Sequence, residues 1–335
     1  MNPSIRSFWN KSMVWSGVPV LLACFLLSVF APGGAVGSTA LWAAAWGRGA
    51  ETARLILFGI RLPRALAAVC CGAGLSVSGL LLQESLHNRL ASPGVIGVNA
   101  GAGLFVLLAA LIAPHSTVLK GGAAFLGAIC AVALVYGISR RAGGSKSTVV
   151  LSGVAVSSLM SAFTQGIITF FPETVTDKVS FSLGGLKGID PAQLTVSAIL
   201  VAAALLGAFL LSGGIDLFPL GDEAAEGLGL DVKRCRALAV LCAAVLAGAA
   251  VSLCGLLSFV GLMVPNLIRL ASGALCRKRI CLCILWGGSF LLICDVIARS
   301  AFYPYELPAG LLLSCFGAPF FIWLLIRRRG GGRRA

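Results

Sequence analysis

The chain has 335 residues, of which 58% are apolar and only 11% charged, against about 45–50% and about 25% in soluble globular proteins. With a mean hydropathy of +0.98, these proportions exclude an ordinary soluble enzyme, a disordered protein and a nucleic-acid-binding domain, and place the chain in a membrane. The net charge of +14 would suggest nucleic acid in a soluble chain; here it is read first against the excess of Lys and Arg on the cytoplasmic side of membrane proteins.

A helical span needs about 20 apolar residues. Ten candidates follow one another, at 14–31, 65–83, 94–112, 121–138, 149–171, 194–211, 237–257, 259–268, 281–298 and 307–326. The first follows Arg6 and Lys11 and is longer than the roughly 7–15 apolar residues of a cleaved leader, so it is expected to be an uncleaved span. The eighth, which contains Pro265, is too short to cross alone, so its ends must be shielded by protein. With the N-terminus in the cytoplasm and ten crossings, 18 of the 26 basic residues fall inside, among them Arg89, Arg140, Arg141, Lys233, Arg234, Arg236, Arg277, Lys278 and Arg279. The other eight, Arg48, Arg54, Arg61, Arg64, Lys120, Lys178, Lys187 and Arg299, fall outside. This split predicts an even number of spans with both termini cytoplasmic. The fold class expected is therefore an all-α polytopic membrane protein of about ten helices, with residues 1–335 forming one transmembrane domain.

Glycines crowd the second and third spans (Gly72, Gly74, Gly79, Gly97, Gly101, Gly103), where small side chains let helix backbones approach in lipid. The twelve cysteines include no Cys-x-x-Cys pair and there are only two histidines. Neither a metal site nor a disulfide framework is expected, and most of these cysteines read as small apolar residues of the spans. No internal repeat stands out, which weakens a reading as an inverted-repeat secondary transporter.

Arg61-Leu-Pro-Arg64 lies at the outer end of the second span, its arginines flanking a proline that can start a helix. Arginines there can anchor the helix at the interface by snorkelling. They also oppose the charge bias, and guanidinium grips carboxylates bidentately. With Arg299, at the outer end of the ninth span, they form a candidate docking site for an acidic protein. Asp295 lies four residues before Arg299, and an i,i+4 pair can meet on a helix. Pairing would offset the cost of a carboxylate in lipid, and a proton relay is the competing role. Gly143-Gly-Ser-Lys-Ser-Thr148 looks faintly like a phosphate loop, but Ser145 interrupts the Gly-Lys-Ser/Thr run that such a loop needs. No nucleotide site, cofactor or catalytic group is expected, so energy from ATP must come from a partner.

The fifth span carries Ser157, Ser161, Gln165 and Thr169 at i,i+4 spacing, close to one helix face. They serve either interhelical hydrogen bonds or a weakly polar translocation path. After the sixth span, at about 215–235, comes a long inner loop with Leu217, Leu220, Gly221, Asp222, Glu223, Glu226 and Leu228. Asp222 and Glu223 suit the positive start of a short helix, and Gly227 and Gly229 end it. Four acids on an otherwise basic face read either as a solvated loop or as a docking helix for a cytoplasmic subunit.

Seven segments, in order, carry a resemblance to a known family. They are Arg61-Leu-Pro-Arg-Ala-Leu; Gly72-Ala-Gly-Leu-Ser-Val-Ser-Gly79 with Leu82-Gln83; Asn88-Arg-Leu-Ala-Ser-Pro-Gly-Val-Ile-Gly-Val-Asn-Ala-Gly-Ala102; Gly255-Leu-Leu-Ser-Phe-Val-Gly-Leu-Met-Val-Pro-Asn-Leu-Ile-Arg269; Asp295-Val-Ile-Ala-Arg299; Glu306-Leu-Pro-Ala-Gly310; and Gly317-Ala-Pro-Phe-Phe-Ile-Trp323. Over about residues 61–325 the chain resembles the FecCD-like permeases of iron-chelate, haem and cobalamin ABC importers. It departs from them at His87 and Arg89, where Arg and Pro are usual. It also departs at Asn266, where a His is usual and where a proton-coupled role is accordingly disfavoured.

The resemblance implies the permease subunit of a type II importer, in the cell membrane, translocating a metal chelate, foremost a ferric siderophore, with haem or cobalamin as alternatives. It implies ten spans, a second permease copy as a homodimer, two cytoplasmic ABC ATPase subunits and an extracytoplasmic substrate-binding protein. Arg61, Arg64 and Arg299 match the positions that meet acidic residues of the binding protein in the cobalamin relative. Residues 217–230 match the ATPase-contacting loop, and the fifth and tenth spans match the helices lining the path. An ion-driven secondary transporter resting on Asp295 and a non-transporting scaffold are the rival readings.

Overall fold

A computed structural model describes residues 3–31, 37–48, 50–143, 146–272, 275–301 and 305–331, with side chains from residue 15 to residue 322 apart from Lys146. Gly144 and Ser145 of the loop-like motif, and the side chains of the C-terminal arginines, lie outside these described residues. Every regular element among them is helical. First come α1 (Pro3–Phe30) and α2 (Ser38–Ala45); then α3 (Glu51–Ile56) continues through a π turn (Leu57–Arg61) into α4 (Leu62–Ser85). They are followed by α5 (Val98–Ile112), α6 (Thr117–Arg141), α7 (Lys146–Phe170), α8 (Val175–Leu183) and α9 (Pro191–Ile215). The chain ends with α10 (Asp222–Gly227), α11 (Val232–Cys254), α12 (Val260–Ala271), α13 (Cys276–Ser300) and α14 (Ala309–Gly331).

Six described stretches are long and apolar enough to cross a membrane: Glu51–Ser85, Thr117–Arg141, Ser147–Phe170, Pro191–Leu220, Val232–Cys254 and Cys276–Ser300. Trp15–Phe30, Val98–Ile112, Val260–Ala271 and Ala309–Ile322 are shorter apolar helices. Together these ten correspond one for one to the ten apolar runs of the sequence. Local chemistry sets several ends. Ser116, Asp190 and Asp231 accept from the N–H groups of Leu119, Ala192 and Arg234 at 3.2, 2.8 and 3.0 Å, each satisfying a donor left over at a helix start. Gly255, at φ +66, ends α11.

One expected boundary is corrected. The second span begins before its apolar run at 65–83: the helix is already under way at Glu51, and Pro63 stands in the first turn of α4, directly after the π turn. Proline in a regular helix clashes with the carbonyl four residues back. The wider π turn, whose hydrogen bonds run i to i+5, moves that carbonyl aside and lets the helix pass through. The short helices α2 and α8 carry no long apolar run and have no counterpart among the expected spans.

The bundle is organised around α4, the most deeply buried of the six long spans, which packs on α13, α11, α12 and α9. Lipid tails are as apolar as leucine, so helices in a membrane associate mainly by close packing. Two glycines two turns apart on α4 achieve this. A Cβ on Gly72 would stand 2.3 Å from the Gly287 carbonyl oxygen of α13, and one on Gly79 only 1.8 Å from the Gly261 carbonyl oxygen of α12. Buried residues of all these helices form one continuous apolar core. Large apolar side chains such as Leu22, Leu126, Leu151 and Leu210 stay exposed on the outer faces of the bundle.

Candidate functional sites

The structure brings the three outer arginines together. Arg61 closes the π turn, Arg64 lies in the first turn of α4 and Arg299 in the last turn of α13, where all three are electrostatic neighbours. Their side chains turn inward. Arg61 and Arg64 are only 6% and 8% exposed. Arg61 donates to the carbonyls of Val29 and Ala31 at 3.0 and 2.7 Å, taking up acceptors left over at the end of α1. Arg299 donates to the carbonyl of Ser28.

Arg64 donates from Nε to both Asp295 oxygens (3.0 and 3.1 Å), from Nη2 to Asp295 Oδ1 (2.9 Å) and from Nη1 to Glu306 (3.0 Å). Asp295 is fully buried, and its principal partner is therefore Arg64. The i,i+4 neighbour Arg299 lies at 3.9 Å. The expected helical pair is present, and to it the structure adds the closer bond that the carboxylate makes across to α4. Held by two guanidiniums, Asp295 reads as a structural anchor. Beside this cluster a cavity of about 480 Å³ is lined by Arg64, Lys120, Asp177, Lys187, Gln193 and Glu306, among others. Lys120 and Asp177 meet at 2.5 Å and tie α6 to α8.

The predicted docking loop forms the short helix α10, entered through Gly221 at φ +98 and left through Gly229 at φ +86. The preceding turn is locked to the bundle. Phe218 is fully buried, its carbonyl lies 2.7 Å from His87 Nε2, and the Arg236 guanidinium sits 5.6 Å over its ring. Arg236 also donates from Nη2 to both Asp222 oxygens (2.8 and 2.9 Å) and from Nε to the Ser85 carbonyl (3.1 Å). Leu217 packs against the core. Leu220 and Leu228, 58% and 64% exposed, project with Glu223 and Glu226 away from the bundle. The seven residues that the sequence groups together thus divide: Leu217 and Asp222 hold the loop, Gly221 turns it, and Leu220, Glu223, Glu226 and Leu228 present a surface.

Of the four α7 residues at i,i+4 spacing, Ser161, Gln165 and Thr169 are exposed, whereas Ser157 is half-buried beside Gly97. Thr169 returns its hydroxyl to the Gln165 carbonyl at 2.9 Å. Neither Ser161 nor Gln165 is drawn into the bundle. Glu84, Asp216 and Arg236 are the functional candidates that sequence reading passed over. The signal for Glu84 was there: a carboxylate at the end of an otherwise apolar run.

Set beside known proteins, residues 20–327 match the sequence profile of the FecCD transport family. The Fe(3+)-citrate import system permease protein YfmD of Bacillus subtilis (strain 168) is 37% identical over 276 residues, which cover 82% of this chain and 83% of that one. The hemin transport system permease protein HmuU of Yersinia pestis is 35% identical over 286 residues, 82% and 84% of the two chains. Among solved structures, a metal-chelate type ABC transporter in an inward-facing conformation aligns with a TM-score of 0.82 at 25% identity, over 95% of this chain and 99% of the other.

Proposed function

The chain belongs to the FecCD transport family, and from that premise we propose that it carries a ferric chelate, specifically a ferric siderophore, through the cytoplasmic membrane. It is a multi-pass membrane permease of an ABC importer and performs no chemistry itself. The importer context brings with it an ATPase and a binding protein. On our reading there are two ATPase copies, and a second copy of this permease completes a homodimer. Residues 1–335 act as one transmembrane domain with both termini in the cytoplasm.

The observation that carries this reading is the loop around α10. Its base is fastened to the bundle by Phe218, Asp222 and Arg236, while two leucines and two carboxylates face outward. That combination suits a surface which a cytoplasmic ATPase grips and pushes. At the opposite end, Arg61, Arg64 and Arg299 are the residues that receive acidic side chains of the binding protein, on the condition that the exposed Glu306, which pairs with Arg64, gives way to them. Ser157, Ser161, Gln165 and Thr169 on α7 line the path. The choice of a ferric cargo is supported by the Fe(3+)-citrate permease among the relatives. A haem cargo is the second reading, supported by the hemin permease, and cobalamin is the third.

The test is reconstitution of the permease with its ATPase and binding protein in proteoliposomes. Substrate-stimulated ATP hydrolysis is then followed across ferric siderophores, ferric citrate, haem and cobalamin. Stimulation by ferric siderophores is expected. Stimulation by haem or cobalamin alone would move the assignment to that cargo. Separately, Arg61→Glu with Arg64→Glu should weaken binding-protein affinity, more so at low salt, where screening is less. Unchanged affinity in the folded variant removes the arginines from the docking site.

A further inference from the structure

Behind the docking segment lies a network of charges that docking itself does not use. Glu84, at the end of α4, accepts from Arg269 Nη2 at 2.7 Å, from the last turn of α12. The same Glu84 oxygen accepts from Arg279 Nη1, in the first turn of α13. Arg279 Nη2 lies 3.6 Å from Asp216, and Asp216 Oδ1 accepts from the Cys276 backbone N–H at 2.8 Å. Two carboxylates and two guanidiniums balance one another, and Glu84 and Arg279 are only 11% and 12% exposed at their side chains. Asp216 opens the segment that leads into the docking helix. The next residue of α4, Ser85, holds Arg236, and His87 holds the Phe218 carbonyl. The docking segment is therefore held at Asp216 by the first turn of α13, whose Arg279 is in turn held by Glu84, and at Phe218 and Arg236 by the end of α4 and the residues just after it.

The opposite end of α4 carries Arg64, paired with Asp295 near the end of α13. The two helices run antiparallel, with an ion pair at each end and the Gly72–Gly287 backbone contact between. Cores packed to this density do not deform continuously. A helix pair pinned at three points moves as one body.

We propose that Glu84 is the positioning residue that fastens the docking segment to this α4–α13 pair, so that displacement of the segment by the ATPase reaches the outer arginine cluster. The inference rests on the docking role proposed for residues 217–230. Its physical core is that one carboxylate oxygen serves two arginines. Without that negative charge, Arg269 and Arg279 face each other with only Asp216 to compensate. Arg279 turns to Asp216, and the ends of α4, α12 and α13 come apart. The projecting surface of Leu220, Glu223, Glu226 and Leu228 is untouched.

The experiment uses the complete transporter, with ATPase and binding protein, in proteoliposomes. In Glu84→Gln the ATPase should co-purify in the wild-type ratio, while stimulation of hydrolysis by the loaded binding protein falls at least about 5-fold, the lower range of coupling between sites. Glu84→Asp, which keeps the charge, should retain more than half of the stimulation. Arg269→Gln removes one contact of the network and gives a milder variant should Glu84→Gln fail to assemble; an intermediate loss is expected of it. Wild-type stimulation in either glutamine variant overturns the proposal. So does lower co-purification with unchanged stimulation per assembled complex, the pattern of a purely packing role. Failure of the docking reading shows up elsewhere, as retention of the ATPase by Glu223→Lys with Glu226→Lys.

Discussion

Replacing Asp295 by alanine removes three of the four hydrogen bonds that Arg64 donates to carboxylates, at 2.9–3.1 Å, and takes away the only fully buried acid of the outer cluster. Breaking a buried ion pair from one side costs about 3–5 kcal/mol, because the surviving charge is left without compensation. Glu306 stays 3.0 Å from Arg64 but is 38% exposed at its side chain, so it offsets only part, and the expected loss is about 3 kcal/mol. At about 2–4 °C per kcal/mol for a large domain, the melting temperature in detergent should fall by roughly 6–12 °C. Removing both partners, as Arg64→Met with Asp295→Leu, takes away the two most closely paired charges and leaves Arg299 and Glu306 behind, so it should recover part of that loss. Thermal unfolding of the purified permease, read by size exclusion after heating, measures both variants. A single variant melting within about 2 °C of the wild type, or a double variant melting as low as the single, would refute the reasoning.

Three further outcomes are expected. Gly79→Ala drives a methyl into the Gly261 carbonyl, a backbone collision that no rotamer relieves, and should cost at least about 1–3 kcal/mol or abolish recovery of folded protein; normal yield and melting would show that α4 and α12 are further apart. Glu223→Lys with Glu226→Lys should cut co-purification of the ATPase about tenfold, equivalent to about 1.4 kcal/mol, at an unchanged melting temperature, whereas Asp222→Lys, placed against Arg236, should also lower that temperature. Gln165→Leu with Thr169→Val should slow transport while ATPase and binding protein still associate, and an unchanged rate would remove this strip from the path.

How much of this was legible in the sequence depended on the range of the interaction. The ten apolar helices follow from apolar runs, and the docking helix follows from Gly221, Asp222, Gly227 and Gly229, all of which act within a few residues. The partner of Asp295 was not legible, because Arg64 lies 231 positions away and the helical neighbour Arg299 offers a plausible local substitute. The π turn was hidden for a related reason: nothing local distinguishes a proline that begins a helix from one accommodated inside it. Within the docking loop, composition shows four acids but not that Asp222 is spent on Arg236. That distinction comes from α11 packing beneath the loop. The glycines of α4 were legible as packing residues; which carbonyls they meet was not.

The twelve-residue helix α12 has a consequence for how the chain completes its crossing. At 1.5 Å per residue it spans about 18 Å, against a hydrocarbon thickness of about 30 Å. The remainder is covered by the irregular stretch after α11, whose backbone is satisfied by the Leu256 N–H on the Phe181 carbonyl at 2.9 Å and the Gly185 N–H on the Cys254 carbonyl at 2.8 Å. It ends at Phe259, held at φ +69 with its ring directly against Gly317 of α14. Over that distance the surroundings that satisfy the backbone are protein rather than lipid. A side chain at Gly317 would be driven into the Phe259 ring, and displacing that ring would uncover irregular backbone whose polar groups lipid cannot satisfy.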